Sequence, residues 1–225
     1  MFEQIPFGTD DFAENPEPRC PVVLLLDTSY SMNGQPIKAL NEGLLAFKDE
    51  LAADALAAKR VEVAVVSFGP VQVQHSFVGA AHYQPPTLGT TGDTPMGAAV
   101  LQGLELLRQR KDEYRANGIA FYRPWVFLLT DGAPTDDIQQ AVAAVREGEV
   151  SRAFSFFAVG TPEANTAVLA QLSPARPPLT LQGLRFRDLF VWLSNSMRSI
   201  SRSAPNTEVP LENPTAGGGW ASVAV

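Results

Sequence analysis

Short apolar runs alternate with polar segments along the chain, and three of these runs end abruptly at polar or glycine residues. They are Val22–Leu26, Trp125–Leu129 and Phe154–Val159. Runs of this length, rich in aliphatic and aromatic side chains, predict strands that are buried on both faces of a sheet. Val61–Phe68 and Val71–Phe77 are two further predicted strands, and the Gly69-Pro70 turn between them predicts an antiparallel hairpin that ends in an edge strand.

Apolar residues spaced three and four apart predict helices between the strands. The predicted helices begin near Pro36, Pro95 and Asp136, and two more cover 162–172 and the segment from Leu189 to Ile200. Thr94 is a good N-cap for the second helix, and Asp136 with Gln139 resembles a capping pair for the third. The pattern predicts an α/β fold: a doubly wound, mostly parallel six-stranded sheet with one antiparallel edge strand and helices on both faces.

The local composition divides the chain into three parts. An acidic, proline-bearing arm covers 1–19, and the predicted domain covers 20–202. The segment 203–225 is rich in Pro, Asn, Thr and Gly, so we expect a flexible tail in which Trp220 is an isolated apolar residue.

Net charge and segment lengths exclude several classes of protein. The net charge of −7 argues against nucleic-acid binding, which needs clustered Lys and Arg. No apolar run approaches the roughly 20 residues of a membrane helix, and the first ten residues lack the basic start and apolar stretch of a signal peptide. Cys20 is the single cysteine, which fits a reducing compartment. The expected location is the cytoplasm.

Candidate chemistry lies where two of the buried strands end. Asp27, Ser29 and Ser31 follow the first strand at alternate positions, and Asp131 follows the Trp125 strand. Doubly wound sheets bind ligands at the carboxyl ends of their strands, where the strand order reverses. If the two strands are neighbours, their carboxylates converge there, and the long loop over 78–93 delivers Thr94 to the same point. Hard oxygen ligands of this kind suit Mg²⁺ or Mn²⁺.

Three segments in this chain order resemble the metal-ion-dependent adhesion site of von Willebrand factor A (vWA) domains. They are Asp27-Thr28-Ser29-Tyr30-Ser31, Thr94 with Gly97 and Ala99, and Asp131-Gly132. The resemblance covers roughly 19–202 and implies that Ser29, Ser31 and Thr94 contact a metal directly, while Asp27 and Asp131 act largely through bound water. It implies Mg²⁺, or alternatively Mn²⁺ or Ca²⁺, and a protein partner that offers an acidic side chain to the metal.

Within the vWA family the chain resembles the small bacterial TerY-type proteins. The segments that carry this resemblance are 15–21, 92–99 and 130–136. It implies a non-catalytic adaptor in a tellurite-resistance or stress-response complex, with a protein kinase and a PP2C-type phosphatase as partners and with neither nucleic acid nor a membrane. Tyr30 stands where most family members have glycine, so the loop must use ordinary backbone geometry there. We hypothesise that Tyr30 lies on the rim of the site and contacts the partner.

A second interpretation is a Mg²⁺-dependent phosphohydrolase that uses Asp27 as its nucleophile. A carboxylate at a strand end is typical of such enzymes. However, Ser29 occupies the place of the second aspartate that would serve as general acid. Gly-rich phosphate loops with Lys, Gly-x-Ser-x-Gly elbows and His-Glu-x-x-His motifs do not occur in the sequence.

Overall fold

The computed structural model describes residues 15–204, 209, 213–216 and 219–223. Residues 1–14 of the predicted arm and 205–208, 210–212, 217–218 and 224–225 of the predicted tail lie outside the described residues. In chain order the elements are β1 (Cys20–Asp27), α1 (Gln35–Ala52), α2 (Ala55–Arg60), β2 (Val61–Phe68), β3 (Gln72–Gly79), α3 (Met96–Ala116), β4 (Trp125–Thr130), α4 (Gln139–Val150), β5 (Ser155–Gly160), α5 (Thr166–Leu172), β6 (Leu179–Leu181), α6 (Phe186–Ser201) and β7 (Ala221–Val223). A 3₁₀ turn, Tyr30–Met32, follows β1. This order confirms the predicted alternation of strands and helices.

The sheet places β1 between β2 and β4, both parallel to it, in the order β3-β2-β1-β4-β5-β6-β7. The strand order reverses between β1 and β4, which is where ligands bind in such sheets. β3 is the predicted antiparallel edge strand. The sheet has seven strands instead of the predicted six. β6 lies in a segment where the sequence analysis located no strand, and β7 adds a second antiparallel edge next to it.

β7 comes from the segment that the sequence predicts to be a flexible tail. Trp220, directly before β7, is buried, and its ring centroid lies 5.6 Å from that of Trp192 on α6. A strand of three residues is too short to show a hydrophobic period in the sequence. The isolated tryptophan is therefore the anchor of this strand, while the division of the chain into arm, domain and tail stays a prediction.

Alternate residues of β1 face two separate cores. Val22, Leu24 and Leu26 pack with residues of α1 and α6, whereas Val23 and Leu25 pack with residues of α3, α4 and α5. All five side chains are fully buried. Successive strand residues point to opposite faces, so helices on both faces require an uninterrupted apolar run, and β1 has one.

Two helix boundaries differ from the prediction because capping side chains set them. The first predicted helix divides at Asp54, whose carboxylate accepts hydrogen bonds from Leu56 N (3.0 Å) and Ala57 N (2.9 Å) and begins α2. α5 begins at Thr166, after the predicted start at residue 162, because the Asn165 side chain accepts from Val168 N at 3.2 Å. Among the described residues, no helix combines the length and the apolar character that a membrane span requires.

Candidate metal centre

Asp27 ends β1 and lies at the bottom of the candidate site. It has no exposed surface. Its Oδ1 accepts a hydrogen bond from Ser29 N at 2.8 Å, and its Oδ2 accepts one from the Thr130 hydroxyl at the end of β4. Both carboxylate oxygens are therefore engaged, and Asp27 ties the loop after β1 to the neighbouring strand.

Side chains of two loops meet above Asp27. Ser29 Oγ lies 3.0 Å from Ser31 Oγ, and Ser31 Oγ donates to Asp131 Oδ1 at 2.6 Å. Ser29 and Asp131 are buried, while Ser31 is exposed. The structure thus brings together four of the five predicted site residues through hydrogen bonds between segments a hundred positions apart in the chain.

Thr94, the fifth predicted residue, enters from the loop before α3 and is buried. A Cβ built on Gly132 would lie 3.8 Å from Ser31 Oγ and 3.9 Å from Thr94 Oγ1, so both hydroxyls flank that glycine. The Thr94 backbone pairs with Thr135, whose Oγ1 accepts from Thr94 N at 3.1 Å and whose N donates to Thr94 O at 3.0 Å. Thr94 is therefore fixed by the loop that follows β4.

The predicted roles of Thr94 and Asp136 as local helix caps are wrong. Pro95 is the N-cap residue of α3, and the Asp136 carboxylate caps that helix from the loop after β4, accepting from Gly97 N (3.1 Å) and Ala98 N (2.8 Å). A Cβ at Gly97 would lie 2.6 Å from the Asp137 carbonyl oxygen, so this approach requires glycine. Since Thr94 caps nothing, its hydroxyl is available to the site.

The long loop before α3 holds the Asp27–Ser31 segment in place. Thr28 O accepts from Thr91 N at 2.8 Å, and Tyr30 N donates to Gly92 O at 3.2 Å. Tyr30 keeps a negative φ, which confirms the expected backbone geometry. Tyr30 is 68% exposed next to the buried Ser29, and its contact with a partner stays a prediction.

The sequence profile of the von Willebrand factor type A domain matches residues 22–180. This chain belongs to that family. No curated protein matches the chain as a relative. The vWA fold, a mostly parallel sheet surrounded by helices, is the fold observed here.

Solved structures share this fold at low sequence identity. A von Willebrand factor type A protein from Catenulispora acidiphila has a TM-score of 0.63 at 16% identity, covering 81% of this chain and 43% of that one. The pilus adhesin SpaC from Lactobacillus rhamnosus GG has a TM-score of 0.59 at 15% identity, covering 83% and 31%. Proximal thread matrix protein 1 from the mussel byssus, with a zinc-occupied MIDAS motif, has a TM-score of 0.52 at 14% identity, covering 82% and 49%. The chain spans less than half of each of these proteins.

The electrostatics of the vWA site favour a cation. Burial raises the pKa of Asp27, and the nearby charge of Asp131 adds to the rise, while hydrogen bonds from Ser29 and Thr130 oppose it. Burial also raises the pKa of Asp131, with a further contribution from Glu163. Ionising two neighbouring carboxyl groups away from water costs free energy, and a bound divalent cation would offset that cost.

The donor set fits such a cation. Its five side chains supply only carboxylate and hydroxyl oxygens, the ligands of Mg²⁺ and Mn²⁺. Within the described ranges, no group of three or more His, Cys, Asp or Glu side chains offers another metal site.

Sequence reasoning missed two residues that organise the site, Thr130 and Thr135, and a third, Glu163, whose charge contributes to the raised pKa of Asp131. Thr130 donates to Asp27 and accepts from Gly132 N at 3.1 Å, so it orients both loops. A signal for Thr130 was present, because it is a hydroxyl residue directly before Asp131 at the end of an apolar run. Thr135 and Glu163 carried no such signal, since their loops meet the site only after the chain has folded.

Proposed function

We propose that this vWA domain is a metal-dependent protein-binding module and not an enzyme. The observation that carries the proposal is the convergence of Ser29, Ser31 and Asp131 above the buried carboxylate of Asp27. Strand ends and hydrogen bonds hold these oxygens, so the site needs little reorganisation to bind an ion.

The metal would be held directly by Ser29, Ser31 and Thr94, with Asp27 and Asp131 acting through bound water. Mg²⁺ is the proposed ion, with Mn²⁺ or Ca²⁺ as alternatives. A divalent cation that is bound mainly by neutral hydroxyls keeps most of its charge and attracts an anionic ligand. The proposed ligand is an acidic side chain of a partner protein.

The proposed setting is a bacterial cytoplasmic complex of the TerY-like type, concerned with tellurite resistance or stress response. A protein kinase and a PP2C-type phosphatase are the proposed partners. The acidic net charge supports partner binding through a metal, because an acidic partner would otherwise be repelled at short range. It also disfavours nucleic acid as a ligand.

The geometry of Asp27 disfavours the alternative phosphohydrolase. A nucleophilic carboxylate must present an oxygen to the phosphorus atom of its substrate. Asp27 has no exposed surface, and both of its oxygens accept hydrogen bonds from Ser29 N and the Thr130 hydroxyl. The residue is therefore placed to support the site and not to attack a substrate.

Ser29→Ala is expected to weaken Mg²⁺ binding on the order of 10–100-fold, because it removes a proposed ligand from a preformed set. Isothermal titration calorimetry measures the affinity, and the rise in unfolding temperature with excess Mg²⁺ gives a second reading.

Because the pKa values of Asp27 and Asp131 are raised, protons compete with the metal at a higher pH than for ordinary aspartates. Mg²⁺ affinity should therefore fall as the pH is lowered.

Ser199→Ala, on the exposed face of α6, is the matched control and should bind Mg²⁺ as the unaltered protein does. Equal Mg²⁺ affinity in Ser29→Ala and Ser199→Ala would contradict the assignment of the metal site.

Tyr30→Gly is expected to lower the affinity for a protein partner about tenfold, because it removes an exposed aromatic side chain next to the metal. The partner is obtained by capture from the native cytoplasm with Mg²⁺, and capture should fail with EDTA or with Thr94→Ala. Tyr30→Phe keeps the ring and should retain most of the affinity. Unchanged affinity in Tyr30→Gly would rule out the rim contact.

A further inference from the structure

A second pocket, of about 410 Å³, lies at the opposite end of the sheet from the candidate metal centre. We call it the basic pocket. It is formed where the end of α3, the segment before β4 and the turn after α4 meet, and its charged lining residues are Lys111, Arg115, Arg123 and Arg152. β4 separates it from the metal centre by about 17 Å, given about 3.3 Å per strand residue. The two sites are therefore separate.

The charge of the basic pocket is opposite to that of the whole protein. Four cationic side chains and no acidic one line it, although the net charge of the chain is −7. Arg115 pairs with Asp112 at 2.7 Å and Arg123 with Glu149 at 2.8 Å. In the part of the chain that the structure describes, Lys111 and Arg152 have no carboxylate within 4.0 Å. Two of the four cationic side chains therefore make no direct ion pair, although the charge of Asp112 acts on Lys111.

Specific contacts hold these cations in place. The Lys111 ammonium donates to Ala153 O at 3.1 Å, and Arg123 Nε donates to Phe154 O at 2.7 Å. Burial and the nearby charge of Arg115 lower the pKa of Lys111. Cations that are held close together repel one another, and a bound anion would remove that repulsion.

Arg152 occupies a backbone position that favours glycine. Its φ is +56°, and among the described residues it is the one non-glycine residue with a positive φ. Arg152 follows Ser151, the C-cap of α4, a position at which glycine is the favoured residue because it adopts this conformation without strain. An arginine of the pocket lining therefore stands at a position where glycine would be less strained.

We propose that the basic pocket binds a phosphate group. Arginine and lysine donors from several segments match the oxygens and the double negative charge of phosphate better than those of a single carboxylate. Arg115 also lies over the ring of Phe121, 6.0 Å from its centroid, so one wall of the pocket combines a guanidinium with an aromatic surface. The ligand class is a phosphate ester or polyphosphate, whether soluble or the headgroup of a lipid.

The test is calorimetric titration of the full chain with inorganic pyrophosphate, in low salt with EDTA so that the probe carries no bound divalent metal. The double variant Lys111→Gln with Arg152→Gln should bind at least tenfold more weakly. Lys38→Gln with Arg187→Gln changes the net charge equally at exposed sites elsewhere and should bind normally. Equal weakening in both double variants, or no binding by the unaltered protein to either pyrophosphate or the vesicles described below, would overturn the proposal.

Arg152→Gly separates a ligand role from a structural one. It relieves the left-handed backbone, so the unfolding temperature should stay the same or rise while pyrophosphate affinity falls. Mg²⁺ binding by this variant should be unchanged, which keeps the result separate from the proposed metal site.

Sedimentation with phosphatidic acid vesicles, against phosphatidylcholine vesicles, distinguishes the two sources of phosphate. Binding to phosphatidic acid alone, lost in the Lys111 and Arg152 double variant, would assign the pocket to a lipid headgroup.

Discussion

Glu62→Gln is expected to lower the free energy of unfolding by about 3–5 kcal/mol, because it leaves buried positive charge without its carboxylate. Glu62 Oε1 pairs with Arg19 Nε at 2.9 Å, and Oε2 pairs with Arg110 Nε at 2.7 Å. The Tyr114 hydroxyl donates to the same Oε2 at 2.5 Å. Burial, followed by the charge of Glu62, raises the pKa of Tyr114 far above its usual range, so this donor stays protonated.

Urea denaturation at neutral pH measures the effect. Glu113→Gln is the matched control, since Glu113 pairs with Arg110 at 2.6 Å from the solvent side and its side chain is 47% exposed. An exposed pair contributes about 0–1 kcal/mol, so this control should stay close to the unaltered protein. A loss of unfolding free energy below about 1 kcal/mol for Glu62→Gln would contradict the prediction. It would mean that water reaches the charged side chains around Glu62.

Gly69→Ala is expected to cost about 2–4 kcal/mol of unfolding free energy and to weaken metal binding as well. Gly69 has a φ of +134°, and a Cβ there would lie 2.7 Å from Ser29 N and 2.7 Å from Thr91 O. Both atoms belong to backbone, which cannot swing away as a side chain can. The new methyl group must therefore push the loop that carries Ser29 away from the loop that leads to Thr94.

Gly89→Ala controls for the general effect of removing a glycine from a loop. Gly89 does not have a positive φ, and a Cβ there would meet nothing within 4 Å, so stability should change by less than about 0.5 kcal/mol. Thermal unfolding and Mg²⁺ titration of both variants check the prediction. Normal Mg²⁺ affinity in a destabilised Gly69→Ala would show that the approach of the loops serves the fold alone.

These contacts connect the stability of the domain to its proposed function. Asp27 lies on a fully buried strand and is held by Ser29 N and the Thr130 hydroxyl, so the floor of the site is as rigid as the core. The exposed atoms, by contrast, belong to Ser31 and Tyr30. A rigid floor with an accessible rim suits a module that must hold an ion and still admit a partner.

The local sequence pattern was sufficient to predict those features that depend on neighbouring residues in the chain. The apolar run in β1 predicted a strand covered on both faces, and Asp27, Ser29 and Ser31 directly after it predicted a cluster of oxygens. The strand that ends before Asp131 was found in the same way. Parallel neighbouring strands then bring these residues to one edge of the sheet, and the structure contains the required pairing of β1 with β4.

Contacts between distant segments were decided by the tertiary structure alone. Asp136 appears in the sequence as a cap for the helix that follows it, yet it caps α3, because the loop after β4 lies across that N-terminus. Trp220 appears as an odd residue in a tail, yet it is buried against Trp192 and anchors β7.

The amino-acid sequence by itself determined the alternation of the main strands and helices, the two-faced core and the five oxygen-bearing residues of the candidate site, because each depends on neighbours within a few positions. It did not reveal α2, β6 or β7. It did not determine the buried Glu62 cluster or the basic pocket. Lys111 and Arg152 are separated in the chain by the end of α3, by β4 and by α4, and their charges meet only when α3 and α4 pack on the same face of the sheet. The sequence specifies which side chains are charged, but the tertiary structure decides which groups surround each charge and therefore what the charge does.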